Sequence, residues 1–219
     1  MTDRPTHITT HNLRPERPER WWRRLCWAHR QIAVSGDLPD ASADAAATAS
    51  VWREAGITHI IDLRDEADTT FERNRLARLL PEATYIPLGT DDDGRDRPGE
   101  WYQRGIETAQ AILADPGARI LIHCHMGVNR APSMTFAVLV ALGIPAIEAL
   151  ESIRSARPIA AMIYAGDAIE RWQRTQGAST LDAAIARLEV EQWLDQHPVD
   201  TRWIISRIWR AEINLGLAG

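Results

Sequence analysis

The stretch RILIHCHMGVNRAPS, residues 119–133, decides the fold of this chain. Its first five residues form a mostly apolar run of the kind that is buried in a parallel sheet. Residues 131–142 have a helical pattern that ends before Gly143, a residue typical of a helix C-terminus. The stretch therefore predicts a buried strand, a short loop and a helix, with Cys124 at the start of the loop and Arg130 at its end.

Strand and helix patterns alternate on both sides of this stretch. Further strands are predicted at 32–35, 57–63 and 84–88. Helices are predicted at 42–55, at 71–80, after Pro98, at 145–156 and at 163–176. The repeated order of strand, crossover and strand predicts a three-layer α/β fold, with a central, mostly parallel sheet of about four to five strands flanked by helices.

Composition restricts the class of protein. The chain has 219 residues, of which 45% are hydrophobic and 25% charged, as in soluble globular domains. No apolar run approaches the ~20 residues that span a bilayer, and the first residues carry no apolar stretch after their charges. We therefore expect a cytoplasmic protein without a membrane partner. The two cysteines, Cys26 and Cys124, exclude a disulfide framework.

Charge is distributed unevenly along the chain. The net charge is −5, but residues 1–30 hold seven arginines against three acidic residues, a balance of +4, which leaves −9 for the remainder. This acidic remainder argues against nucleic acid as a partner, because phosphate contacts need a broad basic surface. All 25 basic residues are arginine. A bound phosphate group would therefore meet arginine, histidine or backbone N–H groups.

The chain divides into three predicted parts. Residues 1–20 carry three prolines and no periodicity, which is typical of a mobile arm, and residues 21–177 hold the alternating strands and helices. Residues 178–219 are predicted to form a C-terminal helical extension. Its two helices carry apolar residues in register, which are Leu181, Ile185 and Leu188 in the first and Ile204, Ile208 and Leu215 in the second. We expect this extension to cover a face of the core or to form the seam of a homodimer.

The loop from Cys124 to Arg130 has the composition of an anion site. A helix N-terminus offers unpaired N–H groups and a partial positive charge, which bind phosphate oxygens and favour an anionic sulfur. Gly127 lets the loop turn tightly with its amides facing inward. The planar fork of Arg130 binds two phosphate oxygens at once. On this chemistry, Cys124 attacks phosphorus and forms a phosphocysteine that water then hydrolyses.

The stretch ILIHCHMGVNRAPS resembles the C-x5-R signature of the dual-specificity branch of the cysteine-dependent phosphatases, in the protein tyrosine phosphatase superfamily. The likeness covers residues 32–172 and includes ITHIIDLRDE and IRSARPI. It implies that residues 21–177 are a catalytic domain that needs no metal or other cofactor. The implied function is hydrolysis of a phosphomonoester, in a phosphoprotein or a small molecule. The alternative is a phosphate- or phosphoprotein-binding pseudophosphatase module with little turnover.

The resemblance also implies roles for individual residues. Cys124 is the nucleophile and Arg130 binds the phosphate, together with the residues between them, which are His125, Met126, Gly127, Val128 and Asn129. The family's general acid is a loop aspartate about thirty residues before the cysteine. Three neighbours compete for this role here, Asp91, Asp92 and Asp93. The position of the preceding strand favours Asp92, with Asp93 second.

Two supporting residues and one departure complete the predicted site. His123 is expected to point back toward the loop and fix it by hydrogen bonds. The family commonly has Ser or Thr directly after the loop arginine, where the hydroxyl helps the sulfur leave, whereas this chain has Ala131 and places a hydroxyl only at Ser133. We therefore expect the phosphocysteine to break down slowly relative to its formation. Elsewhere, Arg64 is predicted to be an exposed turn residue, and Arg157 to contribute packing or surface charge.

Overall fold

The computed structural model describes residues 18–214, except for the side chains of 18–20 and 66–68. Of the predicted arm at residues 1–20, only the last three residues are described. Leu215, predicted in the second helix of the extension, also lies outside the described residues. Within the described part, a short 3-10 helix (Pro18–Arg23) precedes a sheet of five strands, which are β1 (Cys26–His29), β2 (Ile32–Ser35), β3 (His59–Asp62), β4 (Thr84–Pro87) and β5 (Ile120–His123). The helices are α1 (Ser42–Glu54), α2 (Glu66–Leu79), α3 (Gly99–Leu113), α4 (Arg130–Ala141), α5 (Ala146–Ala156), α6 (Ala165–Thr175), α7 (Thr180–Gln196) and α8 (Thr201–Asn214).

The sheet has the strand order β1-β2-β5-β3-β4. Strands β2, β5, β3 and β4 are parallel, and β1 pairs antiparallel with β2. The predicted α/β class with a mostly parallel sheet is therefore confirmed. In the register of the central strands, Ser35, His123 and Asp62 lie side by side at the carboxyl edge. The loop after β5 leaves the sheet at its middle, beside the ends of β2 and β3.

Helices cover both faces of the sheet. On one face, Ile61 and Ile122 pack in one cluster with Phe136 of α4. On the other face, Leu121 packs with Trp52 of α1. Neighbouring residues of a strand point to opposite faces, so a strand buried on both sides needs a near-continuous apolar sequence. This requirement explains why the central strands are visible in the sequence.

Strand β1 has no counterpart among the predicted strands. It has only four residues, and although their burial alternates, the apolar Cys26, Trp27 and Ala28 follow one another, so the sequence shows no period of two. Helix α2 begins at Glu66, earlier than the predicted start at residue 71. Helix α7 begins after Ser179 as predicted, because Ser179 Oγ accepts a hydrogen bond from the N–H of Asp182 at 3.1 Å.

The apolar stripe of α7 does not face the core. Leu181 and Leu188 are 68% and 62% exposed. The helix packs on α6 instead, through buried residues that include Ala183, Val190 and Trp193. The pattern in register therefore marks an outer surface of α7, and small side chains such as Ala183 lie on its packed side.

Helix α8 packs close to the loop that follows β5. Ile204 and Ile208 are buried, as their register predicts, and they form one cluster with Trp22 and with Val128 of that loop. Among the described residues, no helix is long and apolar enough to cross a bilayer.

Candidate active site

Residues 124–129, called the Cys124 loop below, join β5 to α4. Cys124 is 2% exposed at the start of the loop. Gly127 adopts a φ of +62°, a conformation that favours glycine. A Cβ built on Gly127 would lie 2.5 Å from the carbonyl oxygen of Ser35 and equally close to Nη2 of Arg157. No larger residue fits at this point of the loop without displacing its neighbours.

Four consecutive carbonyl groups of the Cys124 loop are hydrogen-bonded to groups outside it. The donors are Asp37 N to His125 O at 3.1 Å, Arg157 Nη2 to Met126 O at 3.0 Å, Arg157 Nε to Gly127 O, and Ala161 N to Val128 O at 2.7 Å. Because C=O and N–H of a trans peptide unit point in opposite directions, the N–H groups of residues 126–129 face the other side of the loop. None of these four N–H groups donates to an acceptor in the described part of the chain. Free donors on one side of a tight loop, at the N-terminus of a helix, make a site for an oxyanion.

Arg157 holds the loop in this conformation. It is only 2% exposed, so the predicted alternative of a surface charge is wrong and it acts within the packing. Besides the two loop carbonyls, its guanidinium donates to the carbonyl oxygens of Trp22 and, at 3.1 Å, Arg24. A planar fork with five N–H donors can serve several carbonyls at once, which an Arg-Pro pair in a sequence does not reveal.

Arg157→Lys is expected to lower the free energy of unfolding by about 2–4 kcal/mol, because a single ammonium group leaves some of the four carbonyls, two of them buried, without a donor. Urea unfolding measures this change. The matched control, the exposed Arg104→Lys, should stay within about 0.5 kcal/mol of the wild type. An equally small change in Arg157→Lys would contradict the role given to this residue.

Arg130 is the first residue of α4, and two backbone carbonyl groups fix its guanidinium. Its Nη1 donates to the carbonyl oxygens of Leu63 at 3.1 Å and Thr90 at 2.8 Å. Its Nε lies 3.3 Å from Oδ2 of Asp92, a charge contact that lacks the angle of a hydrogen bond. Nε is buried and makes no hydrogen bond within the described residues, so it remains available as a donor to an anion.

Of the three candidate aspartates, the structure brings Asp92 to the Cys124 loop. Its Oδ1 accepts hydrogen bonds from Asn129 Nδ2 and from the hydroxyl of Tyr164, each at 2.7 Å. The carboxylate of Asp93 instead pairs with Arg97. The side chain of Asp91 is exposed.

Asn129 and Tyr164 tie the acidic loop to the Cys124 loop. Asn129 Oδ1 also accepts a hydrogen bond from the N–H of Ile163 at 2.9 Å, so its amide joins three segments of the chain. Burial and the hydrogen bond to Asp92 raise the pKa of Tyr164 to about 12, which keeps its hydroxyl a donor. Sequence reasoning missed Tyr164, because the irregular segment before α6 carries no periodic pattern to place it.

His125 is paired rather than freely solvated. Its Nδ1 lies 2.7 Å from Oδ2 of Asp37, and its side chain is 44% exposed. The hydrogen bond to Asp37 raises the pKa of His125 above its ordinary value. Burial opposes ionisation of Asp37, but His125 together with Arg23 and Arg64, at 3.0 and 3.4 Å, holds the pKa of that carboxyl below its ordinary value. The contact with Asp37 therefore favours the protonated form of His125 at the edge of the loop.

This pairing makes the contribution of His125 to stability pH-dependent. Because its folded pKa lies above the unfolded value of about 6.5, the contribution is complete below about pH 6.5 and is lost as pH rises through the folded pKa. The Tm difference between wild type and His125→Gln is expected to be largest near about pH 6 and to shrink at higher pH. Thermal unfolding as a function of pH measures it. A difference that grows with pH would contradict the pairing.

The two supporting residues are both fully buried. The ring of His123 lies 5.9 Å from that of Trp52 and its Nε2 lies 3.6 Å from Asp62. Neither ring nitrogen makes a hydrogen bond within the described residues, so the expected hydrogen bonds from His123 to the loop are not observed there. Burial lowers the pKa of His123, with Asp62 acting against the shift, so the ring is neutral near pH 7. Ser133 Oγ accepts a hydrogen bond from the N–H of Tyr164 at 3.4 Å.

Arg64 is not an exposed turn residue as predicted, because it lies in a buried charge cluster and is 6% exposed. Its Nη2 lies 2.7 Å from Asp62 and 3.4 Å from Glu72. The hydroxyl of Tyr85 also donates to Asp62, at 2.7 Å. Burial raises the pKa of Glu72 to about 7. A buried arginine needs anionic partners. Asp62 lies only two residues before Arg64, but Glu72 comes from α2, and nothing local in the sequence associates it with Arg64.

A cavity of about 810 Å³ lies between α3 and α6, and no residue of the Cys124 loop lines it. Its lining includes apolar residues such as Ile106 and Trp172 and several carboxylates. The candidate active site is therefore a separate feature of the surface, defined by the loop and its donors.

Known protein structures share the fold of this chain. The mouse (Mus musculus) protein tyrosine phosphatase type IVA 3 is 30% identical over 112 residues, which cover 46% of this chain and 61% of that protein. The chain thus spans less than two thirds of the length of this relative. No protein-family model matches the chain.

Three solved structures share the architecture. The human tyrosine phosphatase-like serine/threonine/tyrosine-interacting protein has a TM-score of 0.58 at 16% identity, covering 71% of this chain and 99% of its own. Human DUSP28 has a TM-score of 0.55 at 17% identity, covering 69% and 95%. PTPMT1 in complex with PI(5)P has a TM-score of 0.54 at 15% identity, covering 69% and 98%. The chain has the fold of the dual-specificity and tyrosine phosphatases, so the predicted resemblance is confirmed at the level of the fold.

Proposed function

We propose that this chain is a phosphomonoester hydrolase of the dual-specificity type, which acts through a phosphocysteine on Cys124. One observation carries the proposal: the N–H groups of residues 126–129 are left without acceptors in the described structure, on one side of the loop that begins at a buried cysteine. Such donors, with Arg130 beside them, match the oxygens of a phosphate dianion.

In the first step, the sulfur of Cys124 forms a bond to phosphorus while the bond from phosphorus to the leaving oxygen breaks. The electron pair goes to the leaving oxygen, which takes a proton from Asp92. Arg130 and the loop N–H groups stabilise the charge on the three remaining oxygens. The contacts of Asp92 with Asn129 and Tyr164 support this assignment, because they keep the carboxyl group over the loop.

In the second step, a water molecule attacks phosphorus and gives a proton to Asp92, and the sulfur leaves as a thiolate. The residue after Arg130 is the buried Ala131, which offers no hydroxyl to the departing sulfur. The next hydroxyl along the chain is that of Ser133, two residues further on in α4, and its Oγ accepts a hydrogen bond from the N–H of Tyr164. Breakdown of the phosphocysteine is then the slow step.

Ala131→Ser is expected to accelerate this second step by about 10-fold or more, because a hydroxyl donor then stabilises the leaving sulfur. Rapid mixing with an aryl phosphate should give a burst of phenol in the wild type. The variant should show a smaller burst and a faster steady state, with thermal unfolding as the control for its fold. A wild type without a burst, unchanged by the substitution, would contradict the slow step.

The proposed substrate is a phosphoprotein or a small phosphomonoester, and the reaction is proposed to need no metal. Hydrolysis of p-nitrophenyl phosphate in excess EDTA tests both the activity and the metal independence. Turnover that is retained in EDTA supports the proposal. Tight binding of a phosphopeptide without any turnover would overturn it and favour the pseudophosphatase module.

A further inference from the structure

Helix α8 carries apolar residues both on the side that packs against the protein and on the side that is exposed. Ile204 and Ile208 point inward. On the opposite side, Trp203 is 57% exposed, Trp209 50% and Ile213 59%. Ile205, Trp209 and Ile213 follow one another at intervals of four residues and form one exposed apolar stripe, and the exposed Trp203 lies about 120° away around the helix. Exposed apolar groups of this size mark an interaction site.

The charges on this side of α8 all have one sign. Its charged side chains are Arg202, Arg207 and Arg210, which are exposed and make no ion pair with the described residues. The Arg207 guanidinium lies 5.5 Å over the ring of Trp203. The helix's acidic residue, Glu212, is turned inward and lies 3.4 Å from Arg23. The α8 outer face is therefore cationic and aromatic, and it consists of Arg202, Trp203, Ile205, Arg207, Trp209, Arg210 and Ile213.

We propose that the α8 outer face binds the surface of an anionic lipid bilayer. Indole rings prefer the boundary between headgroups and acyl chains, and arginine stems extend through apolar surroundings to place their charge among anionic headgroups. The fourteen residues of α8 span about 21 Å, so the helix lies in the interface rather than across the bilayer. This partner was not expected from the sequence, because an interfacial helix needs no long apolar run.

The buried side of α8 packs near the Cys124 loop. Ile204 and Ile208 belong to the same cluster as Val128 of the Cys124 loop. A bilayer that binds the outer face of α8 would thus lie one helix diameter from the loop, about 10 Å. The binding itself does not depend on the proposed phosphatase activity and can be tested in Cys124→Ser.

A second copy of this chain is the competing occupant. The outer stripe of α7, Leu181, Ile185 and Leu188, is flanked by Asp182 and Glu189, so its charge is complementary to that of α8. The bilayer is favoured because an anionic interface accommodates both kinds of side chain on this face, with arginine among the headgroups and indole at the boundary with the acyl chains.

Co-sedimentation of the full chain with vesicles tests the proposal. We expect binding to vesicles made of equal parts phosphatidylcholine and phosphatidylglycerol, much weaker binding to phosphatidylcholine alone, and release in about 0.5 M salt. The triple variant R202Q/R207Q/R210Q should bind roughly 100-fold more weakly. The matched control R30Q/R78Q/R104Q removes the same number of exposed arginines elsewhere and should bind like the wild type.

Two results would overturn the proposal. One is a wild type that does not bind the anionic vesicles at low salt, or a triple variant that binds as well as the wild type. The other is a wild type that sediments in solution as a dimer, if Trp209→Ser or Leu188→Ser dissociates that dimer. The outer face of α8 would then contact α7 of a second copy instead of a bilayer. Trp203→Ser and Trp209→Ser, at exposed positions, provide variants that keep the arginine charge and should each weaken vesicle binding.

Discussion

Cys124→Ser is expected to lose at least about 10⁴-fold in kcat/KM against aryl phosphates, which corresponds to roughly 5 kcal/mol of transition-state stabilisation. A serine hydroxyl at this buried position is a poor nucleophile, because no base lies beside it in the described structure to take its proton. The substitution replaces one small atom and leaves the loop N–H groups in place. Phosphate affinity should therefore survive while turnover disappears.

The chain offers a matched control for this loss. Cys26 is also buried, and its thiol lies 3.5 Å from the carbonyl oxygen of Arg24, a contact that a serine hydroxyl can also make. Cys26→Ser should keep its activity within a few-fold of the wild type. Retained turnover in Cys124→Ser, or an equal loss in Cys26→Ser, would remove Cys124 from the chemistry. Mass spectrometry of the acid-quenched wild type should find the phosphoryl group on Cys124.

Asp92→Asn is expected to lower kcat by about 10²–10⁴-fold when the leaving group is a poor one, such as the phenol of phosphotyrosine. An amide keeps the hydrogen bond from Tyr164 but has no proton to give to the leaving oxygen. The loss should shrink with leaving groups that depart without protonation, such as a dinitrophenol. Rates over a series of aryl phosphates measure this dependence, which a purely structural defect would not produce.

Two further variants separate Asp92 from its neighbours. Asp93→Asn should change kcat only a few-fold, because the carboxylate of Asp93 pairs with Arg97 away from the loop. Tyr164→Phe removes one of the donors to Asp92 and should show a smaller loss with the same dependence on the leaving group. If Asp93→Asn lost activity in the manner expected of Asp92→Asn, the assignment of the acid would be wrong.

The parts of the fold visible in the sequence are those encoded locally. β5 and α4 appear as an apolar run and a helical pattern, and Gly127 between them has the positive φ that a tight loop needs. Placing β4 where the resembled family has its preceding strand favours Asp92 among the three aspartates. The sequence therefore predicts the loop, its cysteine and arginine, and a preferred candidate for the acid, and the role of Asp92 stays a prediction.

The residues that the sequence did not identify are positioned by contacts between segments that lie far apart along the chain. Arg157 reaches the Cys124 loop and the 3-10 helix, and Tyr164 reaches the acidic loop across 72 positions. Arg64 is buried because carboxylates from other elements surround it. A single side chain produces no periodic pattern in the sequence, because the residues that fix its position lie in other segments of the chain. The outer stripe of α7 shows the converse, because a helical period identifies a helix without saying which side is covered.

A crystal structure of the protein with tungstate, a mimic of phosphate, shows whether the Cys124 loop binds an oxyanion. The expected result is an oxyanion above Cys124, with oxygens about 3 Å from the N–H groups of residues 126–129 and from the Arg130 guanidinium. An oxyanion that binds elsewhere while this loop stays empty, or a sulfur of Cys124 that faces packed hydrocarbon, would contradict it.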